Sequence, residues 1–189
     1  MSKPDLSLVT RALDFAARAH RDHRRKGKAA EPYVNHLTEV AALAGEASGW
    51  QDPVVIAAAL LHDTNEDCDV TYDDLKAEFG QQVADVVQEC TDPPGLQRKQ
   101  AKAHQLKIIH GLSARAKLVK LADKTSNLRA IDRTPPTNWS RERKIEYVEF
   151  GRAIFAATKG AAPSLDRAFR QVSDDLGRKL GMDSAPPAP

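Results

Sequence analysis

The sequence predicts an all-α chain folded as a single domain, and three observations lead there. Apolar residues recur three and four positions apart in one segment after another, and nowhere alternate at the two-residue period of a strand. Aromatics make up only 5% of the chain while alanine is abundant, a balance that suits closely packed helices better than a β-sandwich. Proline, glycine and capping residues fall between the periodic segments, where helices stop and start. At 189 residues, 41% hydrophobic and 29% charged, the chain has the size and composition of one soluble globular domain with a real core.

Residues 5 to 24 read as a first helix, with Pro4 at its start and Leu6, Val9, Leu13, Ala16, Ala17 and His20 inward. A basic turn, Arg24 to Lys28, follows, and Pro32 pushes Glu31 towards extended geometry. A second helix is expected from about Asn35 to Ala47, with Leu37, Val40, Ala41 and Leu43 inward, His36 in its first turn and Gly49 beyond its end. A third is expected from about Asp52 to Thr64. Thr71 to Asp74 form a capping box for a short helix reaching Phe79. Gly80 separates it from a helix over Gln81 to Cys90, with Val83, Val86 and Val87 buried. Asp92-Pro93-Pro94-Gly95 is a turn, and Leu96 to His110 is a weakly amphipathic basic stretch, either a flap or a surface helix. Ser113 caps a long helix, Ala114 to Asp132, with Leu118, Val119, Leu121, Ala122 and Leu128 inward. Pro135-Pro136 breaks the chain before Trp139 and a helix from Ser140 to about Lys159, carrying Ile145, Tyr147, Val148 and Phe150. Pro163 starts a last helix ending near Leu180, and residues 183–189 form a proline-rich tail expected to be disordered.

Several function classes drop out. No apolar run is long enough to span a membrane, and the amino terminus lacks the apolar stretch of a secretory signal. Cys68 and Cys90 make neither a metal spacing nor a disulfide framework, so two free thiols in a reducing cytoplasm are expected. A net charge of +2 is too small to mark a nucleic-acid binder. The charge is unevenly spread, however: six Lys or Arg and two His lie between Arg18 and Lys28, against the single acid Asp22. No stacking aromatics are interleaved there, so a compact anionic ligand suits the cluster better than a nucleic-acid strand.

The chain is organised around residues 60 to 67, Leu-Leu-His-Asp-Thr-Asn-Glu-Asp. Helical spacing puts His62 below Glu66 and Asp63 below Asp67, roughly 5–6 Å apart. Two potential metal ligands thus occupy one turn and two spare carboxylates the next, the two layers that a metal and its bound water require. Asp123 interrupts the apolar face of its helix, with Asn127 one turn on, and His36 stands similarly in the second helix. A carboxylate buried bare costs several kcal/mol, so Asp123 must be exposed, paired or metal-bound. Two histidines with two carboxylates suit Mn²⁺, Fe²⁺, Co²⁺ or Zn²⁺.

The order His36, His62-Asp63, Asp123 resembles the HD-domain metal-dependent phosphohydrolases. Four stretches sharpen the likeness to the hydrolase domain of RelA/SpoT homologues, and within them to the stand-alone small alarmone hydrolases. They are Arg24 to Lys26 with Pro32 to His36, Ala58 to Asp67, Ala116 to Arg129, and Trp139-Ser140 with Tyr147. The Glu66-Asp67 pair after His-Asp is the discriminating feature. The resemblance implies an HD bundle of about eight to ten helices over residues 1–182, without room for synthetase or regulatory domains. It implies Mn²⁺ held by His36, His62, Asp63 and Asp123. Glu66 and Asp67 would handle the nucleophilic water and protonate the leaving oxygen. Arg25 and Lys26 would lie by the base and ribose, Asn127 on the ribose side, and Lys124, Trp139, Arg143 and Tyr147 along the phosphate and nucleotide walls. The implied reaction removes pyrophosphate from the 3′ position of (p)ppGpp, leaving GDP or GTP.

Departures from the family pattern fall outside these ligands. Leu37 replaces a usual proline, Asn65 an aliphatic residue, and Ser126 an aromatic or histidine. Gly27 to Ala30 lacks the glycine usual just before the Glu-Pro of the loop. They bear on the base pocket, and they keep three alternatives open: ppApp as substrate, removal of the 2′-phosphate of NADPH, or a nucleotide sensor without turnover. Monomer and homodimer are both open.

Overall fold

A computed structural model of the chain describes residues 5–182; Pro4 and the expected 183–189 tail lie outside them. Every described element of regular structure is helical: α1 (Leu6–Ala19), α2 (Val34–Ala47), α3 (Pro53–Leu61), α4 (Thr64–Asp67), α5 (Tyr72–Phe79), α6 (Gln81–Cys90), α7 (Arg98–Ile108), α8 (Ala114–Arg133), α9 (Arg141–Thr158) and α10 (Pro163–Lys179). The all-α expectation holds. A 3-10 turn, Ile109–Gly111, follows α7, and two isolated bridges, Arg24 to Pro32 and Gly27 to Pro136, tie the basic loop down.

Helix α8 is the axis of the bundle, packing against α2, α3, α6, α9 and α10. From Val119 to Ser126 it is buried on every side, charged residues included. A helix buried all round cannot show a clean polar stripe, which is why its pattern in the sequence is blurred. Helix α3 is the second buried element, with Val55 to Leu61 at 6% exposure or less. Its three consecutive alanines let α1, α2 and α6 approach closely. By contrast α7 buries none of its residues and rests on α9, so it is a surface helix.

Most caps are those the sequence announces. Asp5, Asp52, Ser113 and Ser140 each accept backbone N–H groups of the helices they open, and Thr71 with Asp74 makes the capping box. Helix α1 departs from expectation at its end and in its phase. It stops at Ala19, and its fully buried residues, with the following His20, are Ala12 and Ala16; Val9 packs against the core as expected, while Leu6 is 71% and Leu13 37% exposed. Carried on to residue 24 or 25, the helix would stack Arg21, Arg24 and Arg25 a turn apart, a like-charge arrangement that destabilises it. Arg24 instead folds back on the carbonyls of Arg21 and His23, at 2.9 Å each.

Helix α3 also ends earlier than expected, at Leu61 and not Thr64. His62 Nδ1 turns back to the carbonyl of Ala59 at 2.9 Å, and Thr64 Oγ1 donates to that of Leu61 at 2.6 Å. Side chains that bond to nearby carbonyls in this way compete with the helical ladder. The central motif therefore lies across a break, with Asp63 at the junction and Glu66 and Asp67 on the short α4.

The position before Glu31-Pro32 is Ala30, held at φ +45°. That is left-handed backbone, where a Cβ crowds the following carbonyl and glycine fits freely. Ala30→Gly is expected to stabilise the fold by up to about 1 kcal/mol, since relief of the strain exceeds the added freedom of the unfolded chain. A urea melt showing a lower midpoint for Ala30→Gly would contradict this.

Candidate metal centre and nucleotide cleft

Three helices deliver the central cluster. His36 comes from the first turn of α2, His62 and Asp63 from the α3–α4 junction, and Asp123 from the middle of α8. One donor atom each from His36, His62 and Asp123 lies within 4.8 Å of the others, and all three residues are buried. Asp63 joins through Oδ2, 3.1 Å from His62 Nε2 and 3.7 Å from His36 Nε2. Asp123 Oδ1 lies 3.3 Å from His36 Nε2 and 3.8 Å from His62 Nε2.

The outer contacts fix which nitrogen each histidine presents. His62 Nδ1 is spent on the Ala59 carbonyl, as above. His36 Nδ1 meets Ser126 Oγ at 2.9 Å, and that hydroxyl donates to Glu39 Oε2 at 2.7 Å. Ser126 thus accepts from His36 and passes the polarity on to a carboxylate. Both rings keep Nε2 for the cluster, the arrangement that metal-ligating histidines need. Nε2 of His62 is buried without a hydrogen-bond partner, with Asp63 Oδ2 at 3.1 Å and Asp123 Oδ1 at 3.8 Å. A ring nitrogen buried between two carboxylates with no hydrogen bond of its own is a position suited to a cation ligand.

The electrostatics agree with a cation site. Burial opposes charge on every member, yet the ion partners prevail for both acids: His62 holds Asp63, and Lys124 holds Asp123, below the usual carboxylate range. Burial also works against a charged His62, but Asp63 and Asp123 outweigh it and push its pKa up to about 10. His36, where burial dominates, is pushed down. Without a metal, then, the two carboxylates are balanced by Lys124, whose Nζ donates to Asp123 Oδ2 at 2.8 Å, and by one proton on His62. A divalent cation bound here would take the place of that proton. The donor set, two imidazoles and two carboxylates, fits such an ion.

Glu66 borders the same small cavity, about 60 Å³, with His62, Asp63, Lys120, Asp123 and Lys124. Its Oε1 accepts the backbone N–H of Asp92 at 2.6 Å. Both side chains reach solvent, yet partial burial above all, and then Asp63 and Asp92, raises the pKa of Glu66; partial burial and Asp63 likewise raise that of Asp67. Both carboxylates also line a larger, open cavity of about 900 Å³ running out beneath α7.

On the other side of the cluster a cavity of about 250 Å³ is lined by Arg25, Lys26, Asn127, Trp139 and Tyr147, five of the seven residues expected to meet substrate. Its walls are the basic loop, α8 and the segment before α9. Arg25 Nη2 donates to Asn127 Oδ1 at 2.7 Å, and Asn127 Nδ2 donates to Asp123 Oδ1 at 2.5 Å, so the cleft and the cluster share one hydrogen-bond chain. Tyr147 sits 5.6 Å, ring to ring, from Trp139. Arg143 lies outside this wall, its guanidinium stacked 4.3 Å over the Trp139 ring and its Nε buried without a partner. Lys124 is not on the cleft wall but inside, paired with Asp123.

Local sequence patterns passed over three supporting contacts. Tyr33 Oη donates to Asp63 Oδ2 at 2.7 Å and so steadies a carboxylate of the cluster. Ser126, a departure read as bearing on the base pocket, stands behind His36. Its partner Glu39 is three residues after His36 on one helix face, a signal that was there to find. The Asp92 N–H that holds Glu66 carries no sequence signal, since any residue has one.

An all-α bundle that brings two histidines and two aspartates from three helices to one buried point defines the HD class of metal-dependent protein. A family model described as HD domain matches residues 12–157. The chain is 42% identical over 169 residues to the guanosine-3′,5′-bis(diphosphate) 3′-pyrophosphohydrolase MESH1 of Mus musculus, covering 89% of this chain and 94% of the relative. It is 42% identical over 166 residues to the Homo sapiens protein of the same name, with 88% and 93% covered. A solved structure described as a metazoan orthologue of SpoT that hydrolyses ppGpp superposes with a TM-score of 0.85 at 34% identity, covering 96% of this chain and 99% of that one. The chain belongs to the HD-domain family, in its RelA/SpoT-homologue hydrolase branch. No helix among the described residues is long and apolar enough to cross a membrane.

Proposed function

We propose that the chain is a Mn²⁺-dependent hydrolase that removes the 3′-pyrophosphate of (p)ppGpp, leaving GDP or GTP. One observation carries the reading: a cleft walled by cations and two aromatic rings is joined through Asn127 to a buried cluster of candidate cation ligands, with Glu66 alongside. Cations and aromatic faces suit a nucleotide with charge at both ends of its ribose. His36, His62, Asp63 and Asp123 hold the cation, and their nitrogen and carboxylate donors accommodate Mn²⁺. When bound, it lowers the pKa of water and polarises a phosphoryl oxygen.

The remaining work falls to the chain's own groups. Glu66, fixed by the Asp92 N–H, accepts the proton of the attacking water. Water oxygen bonds to the phosphorus on the 3′ oxygen, the bond between them breaks, and Asp67 gives its proton to the departing 3′ oxygen. Lys124, in the cavity that Glu66 borders, and Arg143 answer the developing charge, which a phosphoryl-transfer transition state needs more than covalent help, while Arg25 and Lys26 meet the base and ribose. Trp139 and Tyr147 hold the nucleoside.

Incubation of the purified chain with ppGpp, with and without Mn²⁺, tests the reading by anion-exchange separation of products. GDP and pyrophosphate appearing only with metal are expected; an inert ppGpp alongside turnover of ppApp or NADPH would move the substrate.

Two further results are expected from the same assay. Glu66 and Asp67 both have raised pKa values, so each gains its proton at a higher pH than a free carboxylate. As pH falls, the proton acceptor is therefore lost early, and the acid limb of kcat/KM should lie above the ordinary carboxylate range of about 4. A limb at or below that range would contradict the assignment. Gly27 supports the cleft differently: a Cβ there would lie 2.3 Å from the carbonyl oxygen of Thr134, which is backbone and cannot swing aside. Gly27→Ala should lift the basic loop and raise KM about tenfold or more, with Mn²⁺ affinity unchanged.

A further inference from the structure

Outside the catalytic cluster, three more donors converge. His20 and His23 lie in the turn that ends α1, and Cys68 directly follows α4. Their rings and thiol offer one donor atom each within 4.8 Å of one another. His20 Nδ1 lies 3.0 Å from His23 Nδ1, and Cys68 Sγ lies 3.6 Å from His20 Nε2. We propose that His20, His23 and Cys68 form a second cation site, for a borderline-soft d¹⁰ ion of the Zn²⁺ class, whose filling slows hydrolysis.

The chemistry separates this site from the first. A thiolate with two imidazoles prefers zinc-like ions, whereas the catalytic cluster offers no sulfur and two carboxylates. Bond lengths of about 2.0 Å to nitrogen and 2.3 Å to sulfur place tetrahedral donors roughly 3.3–3.5 Å apart, so donors that lie within 4.8 Å of one another must draw together by side-chain rotation. The ion would use one nitrogen of His20, and a fourth position stays open for water. On binding, the ion must displace the proton of Cys68, whose thiol pKa burial pushes up to about 11, and the thiol loses a weak contact, 3.5 Å, to the Ala19 carbonyl. His20 is ready for this role: burial holds its ring neutral, with a pKa lowered to about 4. Cys90, the other thiol, is buried in the core and donates 3.9 Å to the Ala116 carbonyl, so it takes no part.

The site is placed to act on catalysis. Cys68 is the residue after Asp67, so drawing it towards α1 pulls on the short helix that carries Glu66 and Asp67. The His20 ring also stacks on Tyr33 at 5.0 Å, and Tyr33 donates to Asp63. An ion that tilts His20 therefore disturbs a ligand of the catalytic cluster from behind. The slowing rests on the proposed hydrolysis; the binding does not.

The test uses the full chain saturated with Mn²⁺ and titrated with Zn²⁺ alone. Bound zinc is read by competition with a chromogenic chelator, and Cys68 by its rate of alkylation. Zinc should protect Cys68 from alkylation, and Cys68→Ser and His23→Gln should each bind one zinc fewer than the unaltered chain. Asp123→Ala, which lacks the catalytic site, should keep the protection. Equal zinc uptake by the unaltered chain and Cys68→Ser, or an alkylation rate indifferent to zinc, would overturn the site. Zinc that protects Cys68 yet slows ppGpp turnover no more in the unaltered chain than in Cys68→Ser would overturn its effect on catalysis.

Discussion

Asp123→Ala is expected to abolish divalent-cation binding and hydrolysis together, and to destabilise the metal-free fold as well. The carboxylate serves four partners at once: the Nε2 atoms of His36 and His62 through Oδ1, Asn127 through the same oxygen, and Lys124 through Oδ2. Its removal takes one of the two carboxylates from the cluster. It also leaves the Lys124 ammonium, 8% exposed, without a counter-charge. Breaking one side of a buried ion pair costs about 3–5 kcal/mol. The double variant Asp123→Ala with Lys124→Met separates the two consequences. Removing both charges should recover most of the stability and none of the cation binding. Mn²⁺ titration beside a urea melt reads both, and an Asp123→Ala protein that still binds Mn²⁺ with unchanged affinity would refute the ligand assignment.

The second large effect is expected at Glu66. Glu66→Gln preserves shape, and its side-chain oxygen can still accept the Asp92 N–H, so the fold and Mn²⁺ affinity should be unchanged. What it loses is the ability to take a proton. Removal of a positioned general base lowers the rate about 10²–10⁴-fold. The loss should fall on kcat and leave KM close to the unaltered value, because Glu66 borders the small cavity with His62, Asp63 and Asp123 and not the cleft of Arg25, Asn127 and Trp139. A Glu66→Gln protein of full activity would remove Glu66 from the mechanism and leave Asp67 as the only carboxylate able to serve the water.

Some elements were legible residue by residue. The α6 span, the capping box at Thr71 and Asp74, and the Ser113 cap come straight from local signals, since periodicity and capping act within one turn. The errors have the same explanation. At the end of α1 and of α3 the helical period continues, but charge crowding at Arg21 to Arg25 and back-bonding by His62 and Thr64 stop the helix. Ala30 is instructive in another way: the missing glycine was visible as a departure, but the φ of +45° that makes it matter was not.

The sequence by itself determined the helical architecture, the two-layer motif His62-Asp63 with Glu66-Asp67, and the outlying candidates His36 and Asp123. Tertiary structure alone decided how those groups are tuned. Ser126 reaches His36 across 90 positions of chain, Tyr33 reaches Asp63 across 30, and the Asp92 N–H reaches Glu66 across 26. The same holds for the second cluster, where Cys68 meets His20 across 48. Helices and caps follow from interactions within a few residues, so composition and spacing reveal them. The proton on His62, the orphaned Nε2 and the raised carboxylates of Glu66 and Asp67 follow from burial and from charges brought together by packing, and those exist only once the bundle has closed around α8.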